Sequence, residues 1–265
     1  MSESRVVVER HGAVAHVLMN RPDKRNGLDL AMFEGLVGAG RELAADNTVR
    51  AVVLSGAGKA FCAGLDFQSF LAMGDGGRRL LERGEGSPAN LAQAVAWVWR
   101  EVPVPVIAAV HGSAFGGGLQ IALGADIRIV HPEAELSVME IRWGLIPDMG
   151  ISQTLTTVVA RDVAKLLTFT GRRVGAEEAV RLGLATQVSE EPLAAAMELA
   201  QTIAGKSPHA IRSAKRLFDE SAGMGPAEAL ALETELQLPL LGSPNQIEAI
   251  QANFMRRAPV FKDPE

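Results

Sequence analysis

The stretch Pro105-Val-Ile-Ala-Ala-Val-His-Gly-Ser-Ala-Phe-Gly-Gly-Gly118 runs directly into Leu119-Gln-Ile-Ala-Leu-Gly-Ala-Asp126. Its first part is rich in Val, Ile and Ala and reads as a buried strand; the part after the glycines reads as a helix. Three consecutive glycines strip the side chains from the start of that helix. Backbone N–H groups at a helix N-terminus lack intrahelical partners and carry partial positive charge, so bare ones can hold an anion. The common phosphate patterns do not fit. A Walker loop needs Lys where Leu119 stands, and a dinucleotide fingerprint needs Gly where Ile121 stands. Two readings stay open. Amides in an apolar pocket hold a transient oxyanion on a substrate carbonyl, or the glycines only let a helix pack closely on a strand.

A second glycine-bearing segment has the same form. Val49-Arg-Ala-Val-Val-Leu-Ser-Gly-Ala-Gly58 is an apolar strand ending in a turn, followed by Lys59-Ala-Phe-Cys-Ala-Gly-Leu-Asp66. Further landmarks are His111-Gly-x-x-x-Gly-Gly-Gly118, Glu140-x-x-x-Gly-x-x-Pro147, Arg21-Pro-Asp-Lys-Arg-Asn-Gly-Leu28 and Arg257-Ala-Pro-Val-Phe-Lys262. With these, the chain resembles the enoyl-CoA hydratase/isomerase (crotonase) superfamily, and the landmarks follow the family's order over nearly the whole length. The resemblance implies an α/β fold: a crotonase-like spiral of β-β-α units over residues 1–204, then a helical C-terminal oligomerisation region over 205–265. It also implies a homotrimer or a dimer of trimers.

Composition is compatible with this. The chain has 265 residues, 48% hydrophobic and 22% charged, enough for one large domain with a sizeable core. A formal charge of −5 gives no reason to expect a nucleic-acid partner. The single Cys62 excludes an intramolecular disulfide and a Cys-rich zinc site and reads as a packing residue. The five histidines, at 11, 16, 111, 131 and 209, form no spaced metal set, and no metal is expected. His111 reads as a cap on the turn before Gly112. With no leader-like N-terminus and no apolar run near the ~18 residues of a membrane span, a cytoplasmic protein without a membrane partner is expected.

Along the chain, Val6–Glu9 and Ala13–Met19 read as paired strands with a break at Arg10-His-Gly12, and Leu28–Ala45 as a helix. Residues 74–87 hold five glycines and read as a loop or a loosely held helix, and Pro88–Trp99 as a helix. From Pro192 onward the pattern is helical, broken near Gly205, Gly223 and Gly242.

The site residues follow from the resemblance. It gives the oxyanion-hole N–H groups to Leu65 and Gly117. It makes the substrate an acyl-CoA thioester, so that no separate cofactor is needed. Lys24, Arg25, Lys59, Ala63 and Lys262 stand at or near positions that meet CoA, Lys262 on a neighbouring subunit's ligand; taken singly, each cation also reads as a solvated surface charge. Family hydratases use two glutamates, and here the corresponding positions are Gln120 and Glu140. Gln cannot exchange a proton at neutral pH, which leaves Glu140 as the base. Its alternative is an ordinary Glu paired with Arg142. Asp148 matches a catalytic Asp of dienoyl-CoA isomerases, or else caps the helix beginning near Met149. Dehalogenase relatives carry Trp where Glu140 stands and a His within residues 89–101, where this chain has none. No Gly-x-Ser-x-Gly elbow is present and Tyr is absent. The expected activity is enoyl- or dienoyl-CoA double-bond isomerisation, with hydration of a 2-trans-enoyl-CoA as the alternative and a non-catalytic acyl-CoA binder as the outlier.

Overall fold

The computed structural model describes residues 4–72, 74, 76–83 and 88–265. Strands β1 (Val6–His11) and β2 (Val14–Met19) form an antiparallel hairpin. β1 runs past the expected break at Arg10 because Gly12, at φ +65°, makes the turn. Helix α1 (Leu30–Ala45) starts later than the apolar pattern suggested. Leu28 is bridged to Leu65, and the Asp29 carboxylate accepts the Met32 N–H at 2.9 Å as the N-cap. Strand β3 (Ala51–Gly56) precedes two short helices, α2 (Phe67–Ala72) and α3 (Gly76–Arg79). The glycine-rich 74–87 segment lies partly outside the described residues. Helix α4 (Leu91–Glu101) opens on a reciprocal Asn90–Gln93 capping box and not at Pro88.

The next units are β4 (Val106–Val110), β5 (Ser113–Phe115) and α5 (Gly117–Gly124), then β6 (Ile127–Val130), β7 (Glu135–Ser137) and α6 (Ile151–Val158). After them come α7 (Arg161–Thr170), β8 (Val174–Gly175), α8 (Ala176–Leu182) and β9 (Gln187–Val188). The chain finishes with α9 (Pro192–Ala204), α10 (Pro208–Glu220), α11 (Pro226–Gln237) and α12 (Pro244–Met255).

The strands form a six-stranded sheet in the order β1-β2-β3-β4-β6-β9, parallel from β2 onward, and a smaller β5-β7-β8 sheet. Bridges Cys62–Ala114 and Leu28–Leu65 continue the smaller ladder. The spiral is visible in this alternation. The chain lays a strand in the large sheet and, a few residues on, a strand or bridge in the small one: β3 then Cys62, β4 then β5, β6 then β7. α1, α4 and α5 cover one face of the large sheet, packing with Val17, Met19, Val52 and Leu54. Ala196, Ala200 and Ala204 of α9 cover the other face, over Val14, Val53 and Ile107. Burial on both faces explains why these strands read as continuous apolar runs.

Beyond α9 the three last helices leave Phe218, Phe254 and Met255 exposed. The tail then returns to the core, where Arg50 donates to the Phe261 carbonyl at 2.9 Å and to Asp263 at 2.6 Å. Among the described residues no helix is long and apolar enough to cross a membrane.

Candidate active site

The 61–66 segment is held in place from behind by Asn26. This fully buried residue accepts the Arg21 N–H at 2.9 Å and donates to the carbonyls of Ala57, Ala60 and Phe61. Arg21 lies between Asp66, at 2.9 Å, and Asp29, at 3.5 Å. Burial alone would raise the Asp66 carboxyl, but hydrogen bonds from Ser69 and the charge and hydrogen bond of Arg21 overcome it and hold it at about 2.

So braced, the segment meets the start of α5. Gly64 adopts φ +87°, and a Cβ there would lie 2.6 Å from the Phe115 carbonyl oxygen and 3.6 Å from the Gly117 nitrogen. The adjacent ladder bonds use Leu28 N to Gly64 O and Asp66 N to Leu28 O, so the Leu65 N–H stays out of the ladder. Gly117 is the first residue of α5, whose leading N–H groups have no intrahelical acceptor. Neither N–H finds a backbone partner among the described residues. The geometry shows close packing at one glycine of the triplet and an unpartnered amide at another. Gly118 abuts the 61–66 segment so closely that a Cβ would stand 2.2 Å from the Cys62 carbonyl, while Gly117 keeps an amide free.

Glu140 opens a 3-10 turn, Glu140–Trp143, opposite these amides; a Cβ on Gly116 would lie 3.2 Å from Glu140 Oε1. Gln120, buried to 1% exposure, donates from Nε2 to Glu140 Oε1 at 2.7 Å and accepts the Met149 N–H at 2.8 Å. Both halves of that amide are engaged behind the cavity wall. Glu140 Oε2 is buried and has no hydrogen-bond partner. Burial pushes the Glu140 carboxyl up and the nearby Asp148 charge adds to this, against the lowering effect of hydrogen bonds from its own backbone and from Gln120. Glu140 therefore pairs with Gln120, not with Arg142. Asp148, open to solvent on one side, is also raised by desolvation. It does not cap α6: the N-cap is Gly150, without a side-chain hydrogen bond.

Leu65, Gly117, Glu140 and Asp148 line one cavity of about 280 Å³. The rest of its wall is apolar and includes Phe33, Phe70, Leu80 and Met149, with the Trp143 ring tilted against Phe67 at 4.4 Å between ring centroids. Two amide donors facing two carboxyls of raised pKa across an apolar space can stabilise an enolate oxygen and move the proton that its formation releases.

Residues 9–264 match the family Enoyl-CoA hydratase/isomerase. The chain belongs to this family. It is 32% identical to the mitochondrial Delta(3,5)-Delta(2,4)-dienoyl-CoA isomerase of Mus musculus, over 96% of this chain and 80% of that protein. It is also 32% identical to enoyl-CoA hydratase EchA19 of Mycobacterium tuberculosis, over 97% and 96%. The crystal structure of enoyl-CoA hydratase from Bacillus anthracis superposes with a TM-score of 0.90 at 30% identity, covering 97% of this chain and 99% of that one. Members of the enoyl-CoA hydratase/isomerase family are enzymes, and so is this protein.

Of the family's other expected contacts, only Ala63 lines the cavity; Lys24, Arg25, Lys59 and Lys262 do not. Ala63 donates its N–H to the Arg25 carbonyl at 3.0 Å. Lys24, Arg25 and Lys59 are exposed on two adjoining turns; a Cβ on Gly58 would touch Pro22 at 2.7 Å. His111 holds one of those turns, its Nε2 3.0 Å from the Gly58 carbonyl. Lys262 is exposed on the C-terminal tail, its main chain bracketed by Asn245, and it does not line this chain's cavity. Cys62 is fully buried, which pushes its thiol up to about 12. Trp143 was not anticipated as a cavity residue. The available signal was spacing: Trp143 closes the single 3-10 turn that Glu140 opens.

Proposed function

We propose that the protein shifts the double bonds of an unsaturated acyl-CoA thioester, taking a proton from one carbon and returning one to another. The observation that carries this is the pairing of Glu140 and Asp148 on one apolar cavity while Gln120 is consumed behind it. The thioester oxygen sits between the Leu65 and Gly117 N–H groups. Glu140 Oε2, which lacks a competing partner, removes a proton from C2 and the charge collects on the thioester oxygen. Amide donors fixed in an apolar site act where that charge develops, and loss of one typically costs ~10²–10³ in rate.

Conjugation decides where the proton returns. From a 3-enoyl ester the charge extends to C4, within reach of the same Glu140 carboxyl, and protonation there gives the 2-enoyl ester. From a 3,5-dienoyl ester it extends to C6, where a proton delivered by Asp148, the second carboxyl on the cavity, yields the 2,4-dienoyl ester. No water is added or lost. Gln120 acts as a positioning residue that fixes one Glu140 oxygen and leaves the other free. Lys24, Arg25 and Lys59 meet the CoA phosphates, and Ala63 flanks the pantetheine arm. Residues 205–265 build a homotrimer or a dimer of trimers, which covers Phe218, Phe254 and Met255 and carries Lys262 towards a neighbour's CoA.

Hydration is the second reading, favoured by the same unpaired Glu140 oxygen, which could equally activate a water. The two are separated by offering a 3-enoyl-CoA, a 3,5-dienoyl-CoA and a 2-trans-enoyl-CoA separately in H₂¹⁸O. The proposal expects the first two to rearrange without label. Dominant formation of ¹⁸O-labelled 3-hydroxyacyl-CoA from the third would replace it with hydration.

A further inference from the structure

A second cluster of chemistry-bearing side chains lies outside the cavity, on the β1–β2 hairpin. Glu9 and His11 are two apart on β1 and share a face, and the register places His16 directly opposite Glu9. Glu9 Oε2 stands 3.5 Å from His16 Nδ1 and 3.7 Å from His11 Nε2. One ligand atom from each residue falls within 4.8 Å of the others. The sequence spacing of the histidines gave no metal set; the hairpin makes one by bringing His16 across to β1.

The cluster has a supporting contact as well. His16 Nε2 lies 2.7 Å from Ser55 Oγ, both side chains being buried, so the ring is fixed with Nδ1 towards Glu9. A ring whose second nitrogen is held by a hydrogen bond is the usual arrangement of a metal-binding histidine. Ligands at about 2.0–2.2 Å from a zinc ion stand roughly 3.0–3.5 Å from one another. Two of the three spacings here are already within a few tenths of an ångström of that range.

We propose that this hairpin binds one transition-metal dication of the zinc class through Glu9 Oε2, His11 Nε2 and His16 Nδ1. Two imidazoles and one carboxylate suit zinc, cobalt or nickel and not the hard, all-oxygen preference of calcium or magnesium. Water completes the coordination, since Glu9 and His11 are about half exposed. None of the three residues lines the reaction cavity. The ion therefore acts on the fold: β1 is the edge strand of the large sheet, and the metal pins it to β2.

The test is a calorimetric titration of the chelator-treated full-length protein with zinc chloride, alongside its thermal melting. One ion per chain, with micromolar affinity and a rise in melting temperature, is the expected result. Glu9→Gln and His11→Gln, both at exposed positions, each weaken the affinity by at least about tenfold and abolish the thermal shift, while His131→Gln leaves both unchanged. Cobalt at the same site gives visible d–d absorption that the two variants lose. No saturable binding below millimolar zinc, or binding that survives both substitutions, overturns the proposal.

Discussion

Two groups of buried polar atoms lie on either side of the Phe61–Asp66 segment, and they are treated in opposite ways. Behind it, Asn26 gives its whole amide to the Arg21 N–H and to three carbonyls, and Arg21 is answered by Asp66, Asp29 and the Gly27 carbonyl. In front of it, the N–H groups of Leu65 and Gly117 and one oxygen of Glu140 have no partner within the described chain. The carboxyls register the difference. Asp66 is held at about 2, whereas burial raises Glu140 and Asp148. Burying an unsatisfied polar group costs about 1–3 kcal/mol, so the front cluster is maintained against its own cost by the satisfied one behind it. The contrast teaches that, within one ladder, the polar groups that brace the segment are satisfied and those that face the cavity are not.

The largest expected effect breaks the front cluster at its base. Glu140→Gln keeps size and hydrogen bonding but removes the proton acceptor, and turnover should fall by ~10²–10⁴-fold. Binding of a saturated acyl-CoA, measured by calorimetry, should stay within a few-fold. Retained turnover would remove Glu140 from the mechanism. Asp148→Asn comes next. Conversion of a 3,5-dienoyl ester should fall by about 10²-fold, while a 3-enoyl ester, which needs one carboxyl only, changes a few-fold. Equal losses on both esters would mean that Asp148 shapes the pocket and does not deliver the proton.

The comparison is sharpened by stability. Asn26→Ala leaves three carbonyls behind the segment without their donor and should cost roughly 2 kcal/mol or more, read as a lower denaturation midpoint. Glu140→Gln should do the reverse, by a smaller amount. A carboxyl whose folded pKa is raised binds its proton more tightly in the folded than in the unfolded state. Stability is then lost as pH rises from the unfolded value through the folded one. Gln removes that loss, so the variant should melt higher than wild type at pH 8 and alike at pH 4. A variant that melts lower at pH 8 would show that Glu140 is satisfied after all.

Much of the scaffold is legible in local pattern. The apolar runs at Ala51–Leu54 and Val106–Val110 are legible as strands because parallel strands buried on both faces are apolar throughout, and the glycine triplet marks the start of α5. The helix starts at α1 and α4 were displaced because Asp29 and Asn90 offer caps that the apolar pattern does not register. Glu140 and Asp148 could be named from their motif, but the choice between cap and cavity for Asp148 depends on where the 147–151 backbone turns. Gln120 was readable as a missing acid and not as a brace, because its second bond goes to Met149, far along the chain. The Glu9–His11–His16 group depends on a strand register fixed by a turn at Gly12 and was invisible to spacing along the sequence.

The central claim is that two carboxyls divide the work across this cavity, Glu140 taking a proton from C2 and Asp148 delivering a different one to C6. It is tested most directly by a single turnover of a 3,5-dienoyl-CoA in D₂O, with the product read by NMR. Asp148 exchanges with solvent before the substrate binds, so the account predicts a 2,4-dienoyl-CoA carrying one deuterium at C6. A product whose C6 proton came undiluted from C2, or a 3-hydroxy product in place of the rearranged diene, would contradict it.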